Sequence, residues 1–117
     1  MNKRAVGSAY ETRATAHLES LGYRIIARNY RCCMGEIDLI ARHQGYLAFV
    51  EVKYRSDENS GSAAEAVDFR KQQRIIRVAR WYLMEHHISE EQPVRFDVVA
   101  FEGKQVHVIQ DAFWTIE

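Results

Sequence analysis

Residues 35–53 read GEIDLIARHQGYLAFVEVK, two runs of largely apolar side chains on either side of Gln44-Gly45. A glycine-containing dipeptide between two such runs is typical of a β-hairpin with a two-residue loop. We therefore predict strands at about 35–42 and 46–55. In this hairpin, residues whose numbers sum to 89 lie opposite each other, so Asp38 faces Glu51.

The predicted hairpin gathers charged side chains on one face. Because side chains alternate between the faces of a strand, Glu51 and Lys53 share a face, and the register sets Glu36 opposite Lys53. Ionised carboxylates that face each other repel, and a hard divalent cation such as Mg²⁺ relieves the repulsion. The alternative is a solvated strand face on which Glu36 pairs with Lys53, with Asp38 merely near the turn.

The composition predicts one compact α/β domain over residues 1–117, because 47% of the chain is hydrophobic. Lys and Arg balance Asp and Glu at 16 each, so net charge gives no argument for a nucleic-acid partner. No apolar stretch approaches the roughly 18 residues of a membrane span, and we expect a soluble, cytoplasmic protein. The adjacent Cys32 and Cys33 suit neither a disulfide framework nor a zinc site.

The rest of the chain alternates between helical and strand patterns. Gly22 is a helix stop, and Ser62 is a plausible helix cap. The order αβββαββ implies a mixed sheet in which the long helix crosses over to a strand parallel to a hairpin strand. The predicted elements besides the hairpin are a helix at 5–21, a strand at 23–30, a helix at 63–86, and strands at 94–101 and 106–109 separated by a turn at Glu102-Gly103.

Basic side chains recur every three or four residues along the long predicted helix. They are Arg70, Lys71, Arg74, Arg77 and Arg80. Residues at this spacing share one side of a helix, so the helix presents a basic stripe. The stripe is interpreted either as a solvated face that aids solubility or as a surface for phosphate.

The chain carries a long ordered series of motifs. The series comprises Gly7 and Glu11, Gly22-Tyr23, Arg28-Asn29-x-Arg31, GEIDLI at 35–40, FVEVK at 49–53, Lys71, and Arg95-Phe96-Asp97. This series resembles the YraN-type family of bacterial proteins. Within it, Asp38 followed by Glu51-x-Lys53 on a hairpin, after a helix carrying Glu11, resembles the PD-(D/E)XK nuclease superfamily and is similar to archaeal Holliday-junction resolvases.

The resemblance implies a restriction-endonuclease-like mixed sheet flanked by helices, and a divalent-metal-dependent endonuclease. By resemblance, Asp38, Glu51 and the carbonyl of Val52 would bind Mg²⁺ or Mn²⁺. Lys53 would orient the attacking water or stabilise charge in the transition state, and Glu11 would be an accessory carboxylate. Without the resemblance, Glu11 would be interpreted as an exposed helix residue. The similarity to resolvases also implies a homodimer by analogy.

The implied partner is DNA, with branched or damaged DNA as the substrates considered. Its phosphates would be contacted by Arg28, Arg31, Arg70, Lys71 and Arg74.

Two alternative functions stay open at this point. The chain could be a non-catalytic nucleic-acid-binding module that keeps a nuclease-like fold. It could instead be an interaction protein with a vestigial site, using the region of Phe113 and Trp114 as a contact surface. Asp97, beside Arg95, is interpreted as half of a structural ion pair rather than a metal ligand.

Overall fold

A five-stranded mixed sheet carries one helix on each face in the computed structural model, which describes residues 3–55 and 67–114. The elements follow the predicted order, and the arrangement is consistent with a restriction-endonuclease-like fold. In chain order they are α1 (Lys3–Ser20), β1 (Arg24–Cys32), β2 (Gly35–His43), β3 (Tyr46–Arg55), α2 (Phe69–Glu85), β4 (Val94–Glu102) and β5 (Gln105–Phe113).

The central hairpin has the predicted register. Strands β2 and β3 pair from His43 opposite Tyr46 to Leu39 opposite Val50, and each pair of numbers sums to 89. Gln44 and Gly45 both have positive φ, 52° and 84°, as a type I′ turn requires at its two central residues. The turn chemistry therefore sets the register, and with it the face on which Glu51 lies.

The strands lie in the order β1-β2-β3-β4-β5, and only β3 and β4 are parallel. Helix α2 makes the crossover between them, as predicted. The β4–β5 hairpin differs slightly from the prediction. Its turn is Gly103-Lys104 rather than Glu102-Gly103, and β5 continues to Phe113.

Helix α2 begins at Phe69 rather than within 63–66. Asp68 is its N-cap, because its Oδ1 accepts a 2.8 Å hydrogen bond from the Lys71 backbone N–H. The predicted cap Ser62 and first turn at 63–66 lie outside the described residues. The helix buries one face against the sheet through Ile75, Ile76, Val78, Ala79 and Tyr82.

Helix α1 packs on the opposite face of the sheet through Tyr10, Ala14 and Leu18, which are spaced by four residues. The chain leaves the helix at Gly22, where φ is 92° and the following Tyr23 N–H donates to the Leu18 carbonyl at 3.0 Å. This is the glycine stop that the sequence predicts. In the described residues, neither helix is long and apolar enough to cross a membrane.

Strand β2 is irregular near Asp38. Ile37 and Ile40 both belong to the apolar cluster under α2, although Leu39 between them belongs to the cluster under α1. In an unbroken strand, Ile37 and Leu39 would share a face. On the neighbouring strand, Asn29 has a positive φ of 53° at the same level. The alternation of side chains therefore breaks at Asp38, and residues before it change faces.

Candidate metal and nucleic-acid site

A cavity of about 480 Å³ lies where the start of β2 meets the end of β3. Both helices reach it, α1 through Gly7 and Glu11 and α2 through Lys71. All six non-arginine residues predicted for the site line it, together with Gly7 and Tyr54. The lining is Gly7, Glu11, Asp38, Glu51, Val52, Lys53, Tyr54 and Lys71.

Asp38 takes the place of a backbone acceptor at the break in β2. Its Oδ2 accepts a 2.8 Å hydrogen bond from the Val52 backbone N–H, which ties the side chain to β3. Burial, followed by the adjacent Glu51 carboxylate, raises the pKa of Asp38 to about 8. The site thus holds a carboxyl group whose ionised form lacks enough neighbouring positive charge.

Glu51 is buried and lies beside two lysines from different elements. Its Oε1 is 2.6 Å from Nζ of Lys71 on α2 and 3.8 Å from Nζ of Lys53 on the same strand. Only 8% of the Glu51 side chain is exposed, so these cations are its main source of compensation. The second lysine, Lys71, was predicted as a phosphate contact, and the structure brings it to the acidic pair.

The two lysines are affected differently by this environment. Burial and then the neighbouring Lys71 ammonium lower the pKa of Lys53. Burial opposes the charged form of Lys71 as well, but the Glu51 carboxylate outweighs it and raises the pKa of Lys71. Lys71 is therefore the cation bound to Glu51, and Lys53 is the lysine that more readily gives up its proton.

The third carboxylate at the cavity is Glu11 and not Glu36. Glu36 was predicted opposite Lys53, but its side chain forms an ion pair with Arg31 of β1. The physical reason is the break in alternation at Asp38, which turns Glu36 towards the α1 face. There it lines a second cavity with Arg4, Ser8 and Glu11 among its walls, and it also lines a third cavity that contains Asp38 and Glu51. The alternative prediction, a solvated ion pair between Glu36 and Lys53, is wrong for the same reason.

The donor atoms suit a hard divalent cation in type. Asp38 and Glu51 offer carboxylate oxygens, and Val52 between Glu51 and Lys53 lies in the same cavity. Across residues 3–55 and 67–114, no three His, Cys, Asp or Glu side chains converge closely enough to hold a metal ion by themselves. A cation here would need backbone oxygen, water or substrate oxygen to complete its ligands, which is how Mg²⁺ is usually held.

The predicted arginines are placed unequally around the site. Arg74 lines a cavity that shares Asp38, Glu51 and Lys71 with the main one, and Arg31 lines the cavity that shares Glu11. Arg28 instead donates to Thr12 Oγ1 at 3.1 Å and lines none of these three cavities. Arg70 is exposed on α2 and lines none of them either.

Tyr54 lines the cavity, and the sequence prediction missed it. It directly follows Lys53 on β3, and 42% of it is exposed. The only sequence feature that could have indicated a role for Tyr54 is its position immediately after the charged end of a strand. Gly7, which belongs to the motif series but had no predicted role, lies opposite: a Cβ there would be 4.0 Å from the Tyr54 hydroxyl.

The predicted ion pair of Arg95 and Asp97 lies away from the cavity, at the other end of the parallel strands. Arg95 Nη2 is 2.9 Å from Asp97 Oδ2, and Asp97 is fully buried. Tyr23 Oη donates to Asp97 Oδ2 at 2.7 Å, and the Asp111 backbone N–H donates to Asp97 Oδ1 at 3.0 Å. The structural interpretation of Asp97 is confirmed.

The chain belongs to the uncharacterised protein family UPF0102. The family model matches residues 10–101, which include Glu11, Asp38, Glu51, Lys53 and Lys71. The YraN-type assignment made from the motif series is thereby confirmed at the level of the family, whose description names no activity.

Relatives in this family are similar along most of the chain. A UPF0102 protein of Lachnoclostridium phytofermentans is 47% identical over 97% of this chain and 96% of its own length. One from Aeromonas hydrophila is 48% identical over 92% of this chain and 83% of its own. One from Xylella fastidiosa is 43% identical over 97% of this chain and 95% of its own.

Proposed function

We propose that this UPF0102 protein is a divalent-metal-dependent endonuclease that hydrolyses DNA phosphodiester bonds. The observation that carries the proposal is the pair of carboxyl groups formed by the half-buried Asp38 and the buried Glu51, in a cavity that also holds Lys53. Burial next to Glu51 raises the pKa of Asp38 to about 8. A fold selected for stability alone would not place two carboxylates there, whereas a cation site requires them.

Each side chain has a distinct task in this proposal. Asp38, Glu51 and the Val52 carbonyl would hold Mg²⁺ or Mn²⁺, which supplies a polarised phosphoryl oxygen and a water of lowered pKa. Lys53 orients the attacking water or offsets negative charge that develops on the phosphate. Glu11, on α1 across the cavity, is an accessory carboxylate that accepts a hydrogen bond from a water at the site.

Positive charge flanks the cavity on two sides and favours a phosphate backbone there. Arg74 lies beside Asp38 and Glu51, and Arg31 lies near Glu11. Arg70 and Arg28, which line none of the three cavities, would contact phosphates further along the nucleic-acid strand. Such contacts supply affinity that weakens with added salt and carries little sequence information. DNA in bacteria lies in the cytoplasm, so the proposal also places the chain there.

The direct test compares Asp38→Asn with Glu36→Gln. We expect wild type to bind Mg²⁺ or Mn²⁺ in calorimetry and to nick single-stranded, duplex or four-way-junction DNA. Asp38→Asn should lose both properties while its circular dichroism spectrum and DNA affinity are unchanged. Glu36→Gln is the matched control, because Glu36 lies two residues away on the same strand but pairs with Arg31. Full cleavage by Asp38→Asn would rule out the mechanism.

A second candidate, a non-catalytic nucleic-acid-binding module, is favoured by one contact. Lys71 Nζ lies 2.6 Å from Glu51 Oε1, so the chain supplies its own cation to half of the acidic pair. In this reading Lys71 replaces a metal ion, and the fold binds DNA without cutting it. DNA binding that persists in EDTA, with no cleavage of any substrate form, would establish it over the endonuclease.

Lys71→Met separates the two candidates further. If Lys71 replaces a metal ion, its removal should leave Glu51 uncompensated and lower the thermal midpoint in EDTA, with no recovery in Mg²⁺. If a metal ion belongs at the site, Mg²⁺ should restore the midpoint of Lys71→Met, because the ion takes over the charge compensation. Arg77→Met, an exposed cation on the same helix, is the control.

A further inference from the structure

The rim of the cavity carries a stacked pair of aromatic side chains that the hydrolytic chemistry does not use. The rings of Tyr54 and Tyr10 have centroids 4.3 Å apart and planes within 5° of parallel. Tyr10 also packs against Phe101, at 5.1 Å, on the α1 face of the sheet. The Arg13 guanidinium lies 4.8 Å from the centre of the Phe101 ring. Tyr54 is thus supported from behind by two aromatic layers.

Tyr54 nevertheless keeps much of its surface free. With one face of the ring against Tyr10, 42% of the residue is still exposed, and Tyr54 is one of the residues that line the cavity with Asp38 and Glu51. Gly7 lies beside the hydroxyl, since a Cβ at that position would be at an ordinary van der Waals distance of 4.0 Å. A partly exposed aromatic side chain, stacked on a second ring, therefore borders the site one residue beyond Lys53.

We infer that Tyr54 is a stacking platform for one unpaired nucleobase of the substrate. The inference rests on the proposed function and narrows its substrate class to single-stranded nucleic acid or to DNA with an unpaired nucleotide at the cleaved position. Every base has an aromatic face, so stacking of this kind tolerates any sequence. A base inside an intact duplex has both faces covered by its neighbours and cannot reach Tyr54.

The dimensions and charges of the cavity agree with one nucleotide. Its volume of about 480 Å³ lies within the usual range for small-ligand sites. Lys53 and Tyr54 are consecutive residues on β3, so their side chains point to opposite faces of the strand. A phosphate beside Lys53 and a base on Tyr54 would therefore lie on either side of the strand end, where both α1 and α2 border the cavity.

The test measures binding of fluorescein-labelled DNA by fluorescence anisotropy in EDTA, where cleavage cannot occur. The probes are a short single strand and the duplex of the same sequence. The variants are Tyr54→Ala, Tyr54→Phe and Tyr46→Ala. Tyr46 is the matched control, because it lies on the same strand with 40% exposure but at the opposite end. Thermal unfolding of each variant reports whether the aromatic packing is intact.

We expect Tyr54→Ala to weaken binding of the single strand by roughly 5- to 150-fold, which corresponds to about 1–3 kcal/mol for one base on an aromatic ring. Duplex binding should stay unchanged, Tyr54→Phe should retain wild-type affinity, and Tyr46→Ala should behave as wild type. A single strand that contains 2-aminopurine should lose its fluorescence on binding wild type, because stacking quenches that base, and keep it with Tyr54→Ala.

Wild-type affinity of Tyr54→Ala for the single strand would overturn the inference and identify Tyr54 as a purely structural residue. The endonuclease proposal would survive that result if cleavage still depended on Asp38. If wild type binds no DNA of either form, the proposed function itself fails, which is a distinct outcome from the loss of stacking.

Discussion

Two groups of buried or half-buried charged side chains lie at opposite ends of the parallel strands β3 and β4, and they differ in how the charges are compensated. In the Arg95 group, Asp97 receives hydrogen bonds from Arg95, Tyr23 and a backbone N–H. In the Asp38 group, Asp38 receives one from the Val52 N–H and lies beside a second carboxylate, Glu51. The charges of the Arg95 group compensate each other, and we call it the complete group. The carboxylates of the Asp38 group are not fully compensated, and we call it the incomplete group.

The difference appears in the titration behaviour of the two groups. Burial opposes the charge on Arg95, but hydrogen bonds to Asp97 outweigh it and raise the pKa of Arg95 further. Burial and Glu51 raise the pKa of Asp38 to about 8, so the ionised form is disfavoured. Breaking a fully paired buried charge destabilises a fold, whereas charge left underpaired at a cavity is typical of functional sites.

The largest expected effect comes from breaking the complete group. Arg95→Met would leave the Asp97 carboxylate buried without its cation, and we expect a loss of about 3–5 kcal/mol in the free energy of unfolding. Urea denaturation at neutral pH measures it. Arg77→Met, which removes an exposed arginine, should change stability by less than about 0.5 kcal/mol. A loss of stability for Arg95→Met as small as that for Arg77→Met would contradict the conclusion that Arg95 compensates the charge of Asp97.

A substitution in the incomplete group should have the opposite effect and increase the free energy of unfolding. The pKa of Asp38 is about 8 in the folded chain, against 3.8 as its ordinary value. Between these pH values the folded state keeps a proton that the unfolded state has lost, so stability falls as pH rises from about 4 to 8. Asp38→Asn removes this loss of stability because an amide does not ionise. The amide oxygen can still accept the hydrogen bond from the Val52 N–H.

We therefore expect Asp38→Asn to be more stable than wild type by a few kcal/mol at pH 8 in EDTA, and equal to it near pH 4. Urea denaturation as a function of pH checks this. Added Mg²⁺ should raise the stability of wild type and not of the variant. A variant less stable than wild type at pH 8 would show that the ionised Asp38 is already compensated.

A smaller loss should follow from removing one hydroxyl of the complete group. Tyr23 Oη donates to Asp97 Oδ2 at 2.7 Å and accepts from Arg95 Nη2 at 3.1 Å. Tyr23→Phe removes these two hydrogen bonds and the 3.3 Å hydrogen bond that the hydroxyl accepts from Gln110 Nε2, but keeps the ring stacked on His43, so we expect a loss of about 1–3 kcal/mol. The burial that raises the pKa of Tyr23 to about 12 keeps the hydroxyl protonated up to strongly alkaline pH.

The measurement for Tyr23→Phe is again urea denaturation, with Tyr46→Phe as control because Tyr46 is 40% exposed. A change no larger than that of the control would mean that water replaces the Tyr23 hydroxyl in the network.

The smallest expected effect concerns the exposed pair near the site. Glu36 pairs with Arg31, whose side chain is 66% exposed, and exposed ion pairs contribute little. We expect Glu36→Gln to cost less than about 1 kcal/mol in unfolding free energy and to leave metal affinity unchanged. A loss of metal affinity in this variant would show that Glu36 acts together with Asp38 and Glu51. It would contradict the break in side-chain alternation in β2.

Much of the fold could be predicted because its signals are local. The Gln44-Gly45 turn and the alternation along β3 were sufficient to set the hairpin register, and Gly22 was sufficient to end α1. The start of α2 was harder, because both Ser62 and Asp68 are residue types that cap helices. The hydrogen bond from the Lys71 N–H identifies Asp68.

The candidate site was predicted in part, for the same reason. The neighbourhood of Asp38 and Glu51 follows from the hairpin register alone. The presence of Glu11 rather than Glu36 at the main cavity does not follow from the register. It depends on the break in side-chain alternation at Asp38, which no residue pattern predicts. The region of Phe113 and Trp114 is divided in the same way: Phe113 is buried in the core, whereas Trp114 is 70% exposed.

By itself, the sequence determined the order of the elements, the register of the central hairpin and the membership of the family, because these depend on turn chemistry, side-chain periodicity and residue identity along the chain. Only the tertiary structure decided that Lys71 reaches Glu51, that Tyr10 supports Tyr54, and that Tyr23 joins Arg95 and Asp97. Those contacts join residues far apart in the chain, and their distances depend on how the helices pack against the two faces of the sheet.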